Sequence, residues 1–489
     1  MDKYLEVIVD FLKILARSRV SLAGAVVSGL LFPVLLISLF LDMQGVVHNP
    51  YFGFLIYMVM GPLFVAGLIT VLVGQFLFRD SEEIGLFTLE YIREQLNMPG
   101  RFIRVRKLIY ISSFLVFFTL VVIGVVSYTG FRYTETIGFC GQFCHDVMEP
   151  QYISHQNSPH SRIECVSCHI SGSSDLVTRS KVSGVKMIFS TMLGSYSRPI
   201  NNPVHSLRPD REVCEECHRP EMFHGNKLYI KDYFLSDEHN SHVQTVLLMR
   251  IGSSGYRDQN AQGIHWHVSP DHKTYYRSAA DDQDRITQVK LVDHDGKVFI
   301  FNNKLESSSG EAAADGGYRL MDCMDCHNRP THVFLPASEA IDRKIASGAI
   351  DRTLPFIKKN AMEVILRKYS SKDQARRQIV TGIEEWYAKN RPDVINRRRA
   401  ELDQSVNAIF QAWTENVFPD MGIGWGTYRN NLVHDTGDGC FRCHTDNYQT
   451  KEGRSIPSDC DLCHFILAER EPSPDIIRIL HGGKIKNQE

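Results

Sequence analysis

The sequence carries almost no net charge. Its 489 residues include 54 lysines and arginines against 56 aspartates and glutamates, which leaves a formal charge of −2. A near-neutral chain lacks the basic surface by which proteins hold nucleic acid, and it has no overall field to steer a charged partner. The length allows roughly two to four domains. Long uncharged runs are confined to the first 131 residues.

No cysteine stands outside a closely spaced pair. The twelve cysteines form six pairs, and a histidine follows each pair directly. Five pairs have the pattern C-x-x-C-H, whereas the first has one extra residue between its cysteines. The six motifs, in chain order, are Cys140, Cys144 and His145; Cys165, Cys168 and His169; Cys214, Cys217 and His218; Cys323, Cys326 and His327; Cys440, Cys443 and His444; and Cys460, Cys463 and His464.

The C-x-x-C-H pattern is typical of covalent haem attachment. Both thiols form thioethers with the porphyrin, and the adjacent histidine binds the iron. Cysteine pairs also build structural zinc sites, but zinc does not require histidine at that position. Because histidine is 20 of 489 residues, six such placements by chance have a probability of roughly 5 in a billion. Disulfides within these pairs would close tiny, strained loops. The sequence therefore predicts a cytochrome with six covalent haem c groups.

Three uncharged stretches, 20–41, 51–78 and 108–131, are each long enough to cross a membrane. The residues before them, 1–19, have helical apolar spacing and predict either an amphipathic helix on the membrane surface or a plain extension of the first span. No small-residue cleavage site follows the first stretch, so we expect an uncleaved anchor. Segment 1–131 is thus predicted to be a membrane anchor with three transmembrane helices.

Basic residues set the expected orientation of this anchor. Lys3, Lys13, Arg17 and Arg19 precede the first span, and six lysines and arginines lie in 79–107 between the second and third. The loop at 42–50 has none. By the positive-inside rule the N-terminus and the 79–107 connection are cytoplasmic. Everything after residue 131 is then on the periplasmic side of a bacterial inner membrane, which agrees with haem attachment outside the cytoplasm.

From residue 132 onward the sequence predicts three segments. The trihaem segment 132–225 is too short for a core of its own, so haem must supply apolar surface. Segment 226–312 has alternating, β-branched and aromatic-rich stretches and an Asp295-Gly296 turn, which indicates a small antiparallel β insertion. Segment 313–489 holds three haem motifs, and its apolar spacing predicts helices at 354–369, 375–390, 401–418 and 474–480. The predicted fold is mainly α.

Six haem irons need six further axial ligands unless one position stays open for chemistry. The five histidines that we predict as such ligands are His160, His265, His267, His332 and His434. His265 and His267 would point the same way on a strand, and to two different haems on a turn. The alternative for each is an ordinary surface or capping role. We assign that role to the remaining histidines: His48, His155, His205, His224, His239, His242, His272, His294 and His481.

Met148 is a further candidate, because it lies three residues after His145 and could bind the first iron. The alternative for Met148 is core packing. The choice matters for redox potential: two imidazoles give a closed, low-potential haem that carries electrons, whereas a thioether ligand raises the potential.

The stretch 138–218 resembles the NapC/NirT/NrfH family of membrane-anchored multihaem quinol dehydrogenases. The resemblance is carried by GFCGQFCHDVMEP, by the NSPH before CVSCH, and by RSKVSG. The longer layout is similar to the larger ImcH-like inner-membrane cytochromes of metal-reducing bacteria, through GIHWHV, MDCMDCHNRPTHVF, LPFIKK, WGTYRNN and GCFRCH. The resemblance implies a periplasmic domain that takes electrons from quinol, such as menaquinol, and passes them along a haem chain.

In the smaller relatives the quinone lies against the haem nearest the membrane, beside a lysine and a carboxylate, and a methionine can replace the attachment histidine there. The resemblance thus implies Lys181, with Lys186 in reserve, and Asp146 as quinol-site residues. The reaction also requires a proton acceptor. Quinol loses two electrons and two protons, whereas a haem takes one electron and no proton, so a group that accepts protons must lie beside that haem. The alternatives are a solvated charge, or pairing with a propionate or a lipid headgroup.

The predicted function is therefore a membrane-bound hexahaem quinol dehydrogenase of anaerobic respiration. Its expected partners are membrane lipid, the quinone pool, and periplasmic c-type cytochromes or a terminal reductase. One alternative is a terminal reductase of a small oxyanion such as nitrite, which requires a haem with an open distal position. A second is a non-catalytic relay subunit of a larger respiratory complex.

Overall fold

The structure, a computed structural model, divides the chain into two compact units. The first comprises Met1–Met148 and Glu164–Val166, and the second Glu149–Ile163 and Ser167–Glu489. The structure describes residues 18–44, 50–77, 102–143, 145–170, 184, 187, 189–191, 193–200, 210–219, 225–252, 263–279, 285–307, 317–434 and 438–481. The predicted architecture of three apolar helices, a mainly helical remainder and small antiparallel sheets is confirmed.

The first unit contains the three apolar helices. They are α1 (Arg19–Met43), a second built from α2 (Pro50–Phe54), a π-helical segment (Leu55–Met60) and α3 (Gly61–Leu77), and α4 (Phe102–Tyr133). Each contains a stretch long and apolar enough to cross a membrane. Leu30 and Phe117, for example, expose 69% and 66% of their surfaces, as lipid-facing residues do. The predicted helix at 1–19 and most of the basic connection lie outside the described residues.

Small side chains bring α1 and α3 together. The hydroxyl of Ser21 donates to the Val71 carbonyl oxygen at 3.0 Å. A Cβ on Gly24 would come within 2.6 Å of the Gly67 carbonyl oxygen, and one on Gly74 within 2.4 Å of Ser21 Oγ. Lipid offers no hydrophobic drive for helix association, so this close packing is what holds the pair.

Two antiparallel sheets lie in the second unit. The strands are β1 (Asn226–Phe234), β2 (His242–Arg250), β3 (Lys273–Ser278), β4 (Ile286–Val292), β5 (Val298–Asn303), β6 (Arg319–Leu320), β7 (Tyr448–Gln449) and β8 (His464–Glu471). One sheet has the order β1-β2-β8 and the other β6-β3-β4-β5-β7. The β4–β5 hairpin turns at the predicted Asp295-Gly296, and Gly296 has a φ of +78°, which suits glycine.

Each sheet is completed by short strands from outside 226–312. β6 leads into the fourth haem motif, β7 follows the fifth, and β8 begins at His464 of the sixth. The sequence analysis did not predict these three strands. The sheets therefore position haem motifs directly.

The remaining helices are α5 (His145–Gln156), α6 (Cys165–His169), α7 (Asp210–Cys214), α8 (Lys304–Ser307), α9 (Cys323–Cys326), α10 (Ala337–Ala346), α11 (Ile357–Ile365), α12 (Lys372–Asn390), α13 (Pro392–Arg397), α14 (Arg399–Thr414) and α15 (Asp475–Leu480). Helices α10 to α14 share an apolar core around the fully buried Tyr387 and Trp413. Within α12, Ala375, Ile379, Ile383 and Tyr387 recur every four residues on the buried face. This part contains no haem motif and has an apolar core of its own.

A buried ion pair lies at the edge of this core. Lys358 Nζ is 2.6 Å from Asp342 Oδ1, and the two side chains are 7% and 4% exposed. Asp342 also accepts from the backbone N–H of Phe234 at 3.2 Å, which ties β1 to the helices. Burial raises the pKa of Asp342, while the hydrogen bond from Lys358 opposes that rise.

We predict that Asp342→Asn lowers the free energy of unfolding by about 3–5 kcal/mol, because Lys358 is left buried without a counter-charge. Replacing both residues by apolar ones (Asp342→Leu with Lys358→Met) should recover part of that loss. Urea denaturation followed by far-UV circular dichroism measures both.

The matched control for this prediction is Asp475→Asn. Asp475 pairs with Arg478 at 2.7 Å, but the two side chains are 62% and 37% exposed, so the change should cost less than about 1 kcal/mol. Equal stability of the Asp342 and Asp475 variants would contradict the importance of the buried pair.

Candidate haem sites

The C-x-x-C-H motifs fold as single tight turns. The backbone N–H of the histidine donates to the carbonyl oxygen of the first cysteine in the third motif (His218 to Cys214, 2.8 Å), the fourth (His327 to Cys323, 2.8 Å) and the fifth (His444 to Cys440, 3.0 Å). The second motif forms the short helix α6. A single helical turn places both thiols and the imidazole close together, as attachment to one porphyrin requires.

Five attachment histidines each face a second histidine that is distant in the chain. The ring centroids lie 6.3 Å apart for His169 and His332, 6.0 Å for His218 and His160, 6.3 Å for His327 and His265, 5.7 Å for His444 and His267, and 6.2 Å for His464 and His434. Two imidazoles on opposite sides of one metal, each bound at about 2 Å, have centroids roughly 6 Å apart. The structure thus brings each of the five predicted distal histidines to a different motif.

Hydrogen bonds fix the tautomer of these imidazoles. Nδ1 contacts a backbone carbonyl oxygen in His332 (Gln151, 3.0 Å), His160 (Pro330, 3.3 Å), His265 (Ile251, 2.6 Å), His267 (Ile264, 3.1 Å) and His444 (Pro457, 2.7 Å). A carbonyl oxygen only accepts, so Nδ1 carries the proton and donates. In the neutral ring, Nε2 then carries the lone pair that a metal takes.

His155 differs from these histidines in the ring nitrogen that carries its proton. Its ring centroid is 6.4 Å from that of His332, similar to the distances above. However, its Nε2 lies 3.1 Å from the carbonyl oxygen of Ile163 and must donate to it. The proton is therefore on the nitrogen that a ligand would use, and His155 has a structural role, as the sequence analysis assigned.

Burial keeps several of the paired histidines neutral. Desolvation lowers the pKa of His267 and of His332 to about 4, and it also lowers the pKa of His169, His327 and His464. Neutral imidazole is the form that binds metal. Spacing, tautomer and charge state together fit haem with two axial imidazoles.

Thiols of successive motifs also lie close together. Hydrogen bonds join Cys140 with Cys165, Cys214 with Cys323, and Cys440 with Cys463. The Cys326 thiol is near Cys440 and Cys443 of the next motif. These contacts make neighbours of the first and second motifs, the third and fourth, the fourth and fifth, and the fifth and sixth.

The segment GIHWHV forms a 3₁₀ helix (Ile264–Val268), not a strand. Its two histidines therefore face different motifs, His265 the fourth and His267 the fifth, as expected for the turn. The close approach at its start requires glycine: Gly263 has a φ of +89°, and a Cβ there would lie 2.2 Å from the Arg250 carbonyl oxygen.

A buried carboxylate inside the fourth motif escaped the sequence analysis. Asp325 accepts from the Tyr276 hydroxyl at 2.6 Å and from the Asp322 backbone N–H at 2.7 Å, and Arg319 lies 3.4 Å away. Burial raises the pKa of Asp325. The pKa of Tyr276 is also raised, mainly by desolvation and next by the negative charge of Asp325. The sequence signal was an acidic residue between two haem cysteines, and its role is to hold the motif against β3.

The first motif begins where the third apolar helix ends. Cys140 lies in a π-helical turn (Phe139–Phe143), and the Tyr133 ring of α4 is 5.4 Å from that of Phe139. Met148 is partly buried on α5. Cys144, Lys181, Lys186 and the side chains of His145 and Asp146 lie outside the described residues. Their assigned roles stay predictions.

Known proteins match both the trihaem region and the longer chain. Residues 104–223 match the N-terminal region of the NapC/NirT cytochrome c family. The cytochrome c-type protein ImcH of Geobacter sulfurreducens is 33% identical over 455 residues, which cover 92% of this chain and 88% of that protein. No solved structure matches significantly. With its haem motifs and apolar helices, the chain belongs to the NapC/NirT family of membrane-anchored multihaem c-type cytochromes.

Proposed function

We propose that this protein oxidises a quinol, such as menaquinol, at the periplasmic face of the inner membrane and passes the electrons through six haem c groups to a periplasmic cytochrome. The family membership establishes a membrane-linked redox role, and the proposal adds the electron donor, the haem number and the direction of flow.

The paired histidines carry this proposal. Five pairs of imidazoles, each spaced for one iron, describe haems whose axial positions are filled by protein. Haem supplies one-electron chemistry when bound. The paired histidines of this chain would hold the iron, and their neutral imidazoles would favour a closed, low-potential haem. Such sites carry electrons and leave no room for a small oxyanion, which disfavours a terminal reductase at these five positions.

The motif contacts support a relay in chain order. Cysteine side chains lie close together in the first two motifs, and likewise from each motif to the next among the last four. The second and third sites are linked by α5 and the segment after it: Ser158 Oγ is 3.0 Å from Thr331 Oγ1, next to His332 of the second site, and His160 of the third donates to Pro330. Electrons would enter at the first haem and leave from the sixth.

Entry at the first haem follows from the end of α4. The first motif starts seven residues beyond Tyr133, so a haem there would lie where a lipid-dissolved quinol can reach it. The two quinol protons need an acceptor beside that haem. We assign this role to Lys181, with Lys186 and Asp146 as the other candidates, and the ligand of the first iron to His145 or to Met148 in its place.

The direct test is the reaction of the purified full-length protein, in lipid nanodiscs, with a menaquinol analogue in a stopped-flow spectrometer. We predict haem reduction that saturates with quinol concentration. Absence of quinol reaction together with rapid reduction by a soluble cytochrome would contradict this function and favour the relay subunit.

Lys181→Ala should slow haem reduction by quinol about 100-fold or more, the usual effect of losing a proton acceptor, without loss of haem. Lys389→Ala on the haem-free α12 is the control and should match the wild type. The assignment is wrong if the two variants react with quinol at the same rate.

His332→Ala should create one high-spin haem, because it removes the imidazole that faces His169. Electron paramagnetic resonance and the visible spectrum report the change, and haem content should be unaltered. His155→Gln is the matched control. The His155 ring lies at a similar distance from His332, but its Nε2 donates to the carbonyl oxygen of Ile163. A high-spin signal in the His155 variant alone would reverse the assignment.

A further inference from the structure

Arg329 is a half-buried cation between haem sites, and its Nε is fully buried. It lies two residues after His327 of the fourth motif and three before His332, which faces the second. The next residue, Pro330, accepts the hydrogen bond from His160, which faces the third motif. The side chain is thus carried by a loop where three of the proposed sites meet.

The guanidinium has no anionic partner among the described residues. Its Nε is buried and makes no hydrogen bond within the described part of the chain, and none of the carboxylates described there pairs with it. Desolvation lowers the pKa of Arg329 to about 10. Other arginines at the fourth motif do have partners: Arg319 pairs with Asp322, and Arg442 donates to the Asp325 carbonyl oxygen.

Aromatic rings hold the Arg329 side chain in place. Its guanidinium carbon lies 3.8 Å from the ring centroid of Tyr428 and 5.7 Å from that of Phe334. The Tyr428 segment is itself fixed to the motif loop, because Asn431 donates to the Asp325 carbonyl oxygen at 3.1 Å and to Asn328 Oδ1 at 3.0 Å. Stacking orients the plane of the guanidinium but does not neutralise its charge.

A largely desolvated charge without a counter-charge is unfavourable, so this arrangement calls for an anion. Haem c brings two carboxylates, its propionates, and a planar carboxylate matches the fork of donors on arginine. We propose that Arg329 binds a propionate of a haem at the junction of the second, third and fourth sites. This inference rests on the proposed haem sites and is independent of quinol oxidation.

The pair has two consequences. Arg329 positions the porphyrin that it binds, and its positive charge favours the reduced iron over the more positive oxidised one, so it raises the midpoint potential of that haem. A charge in a dry environment acts more strongly than one in water.

The test is Arg329→Gln in the full-length protein, with haem content measured first and the six midpoints then measured by redox titration. We expect six haems. One midpoint potential should fall by about 59 mV, which is a tenfold loss in the equilibrium constant for one-electron reduction. The other five midpoint potentials should not change. Arg376→Gln is the control: Arg376 also stacks on a ring, Phe410 at 5.6 Å, but in the haem-free helices.

Marker variants identify which haem supplies the propionate. Each marker variant shifts the midpoint potential of one haem: His332→Met that of the second, His160→Met that of the third, and His265→Met that of the fourth. Comparison with these shifts shows which haem has the changed potential in the Arg329 variant. Six midpoints equal to those of the Arg376 variant overturn the proposal. If Arg329→Gln does not assemble with six haems, Arg329→Lys replaces it: a lysine lacks the fork, so the same midpoint should fall by less, and no fall overturns the proposal.

Discussion

The structure depends on one geometric requirement: an iron held by two imidazoles needs them roughly 6 Å apart, centre to centre, and facing each other. The attachment motif supplies one imidazole, but the second comes from a distant part of the chain. In the proposed arrangement one short loop supplies both His327 for the fourth haem and His332 for the second, and the structure places each of them opposite another histidine. The sheets and loops of the second unit position the paired histidines at this spacing.

The two sheets and the helical core do this holding. β8 begins at His464, and its pairing with β2 fixes the sixth motif, while β6 and Asp325 fix the fourth. The helices α10 to α14 bury a conventional apolar core, to which the Asp342 ion pair joins β1. If haem supplies much of the apolar surface elsewhere, as expected for the trihaem segment, this region still packs without it.

Much of this could be predicted from the sequence, because the signals were local. Cysteine spacing, uncharged runs, the apolar period of α12 and the Asp295-Gly296 turn each act over a few residues. The five histidines predicted as distal ligands each lie opposite an attachment histidine. The sequence did not predict which one, since pairing is set by contacts distant in sequence. The strands Tyr448–Gln449 and His464–Glu471 lie in a turn-rich tail and have no clear alternation. Arg329 gave no signal and Asp325 only a weak one, because an isolated charge in or beside a motif is ordinary until its burial is known.

The central claim is that every C-x-x-C-H type motif of this chain holds a haem and that imidazole pairs close at least five of them. The most direct measurement combines the pyridine haemochrome assay with electron paramagnetic resonance of the oxidised, purified protein. The account predicts six haems per chain, of which five or more are low-spin with two axial imidazoles. Fewer than six haems, zinc in their place, or several high-spin irons would contradict it.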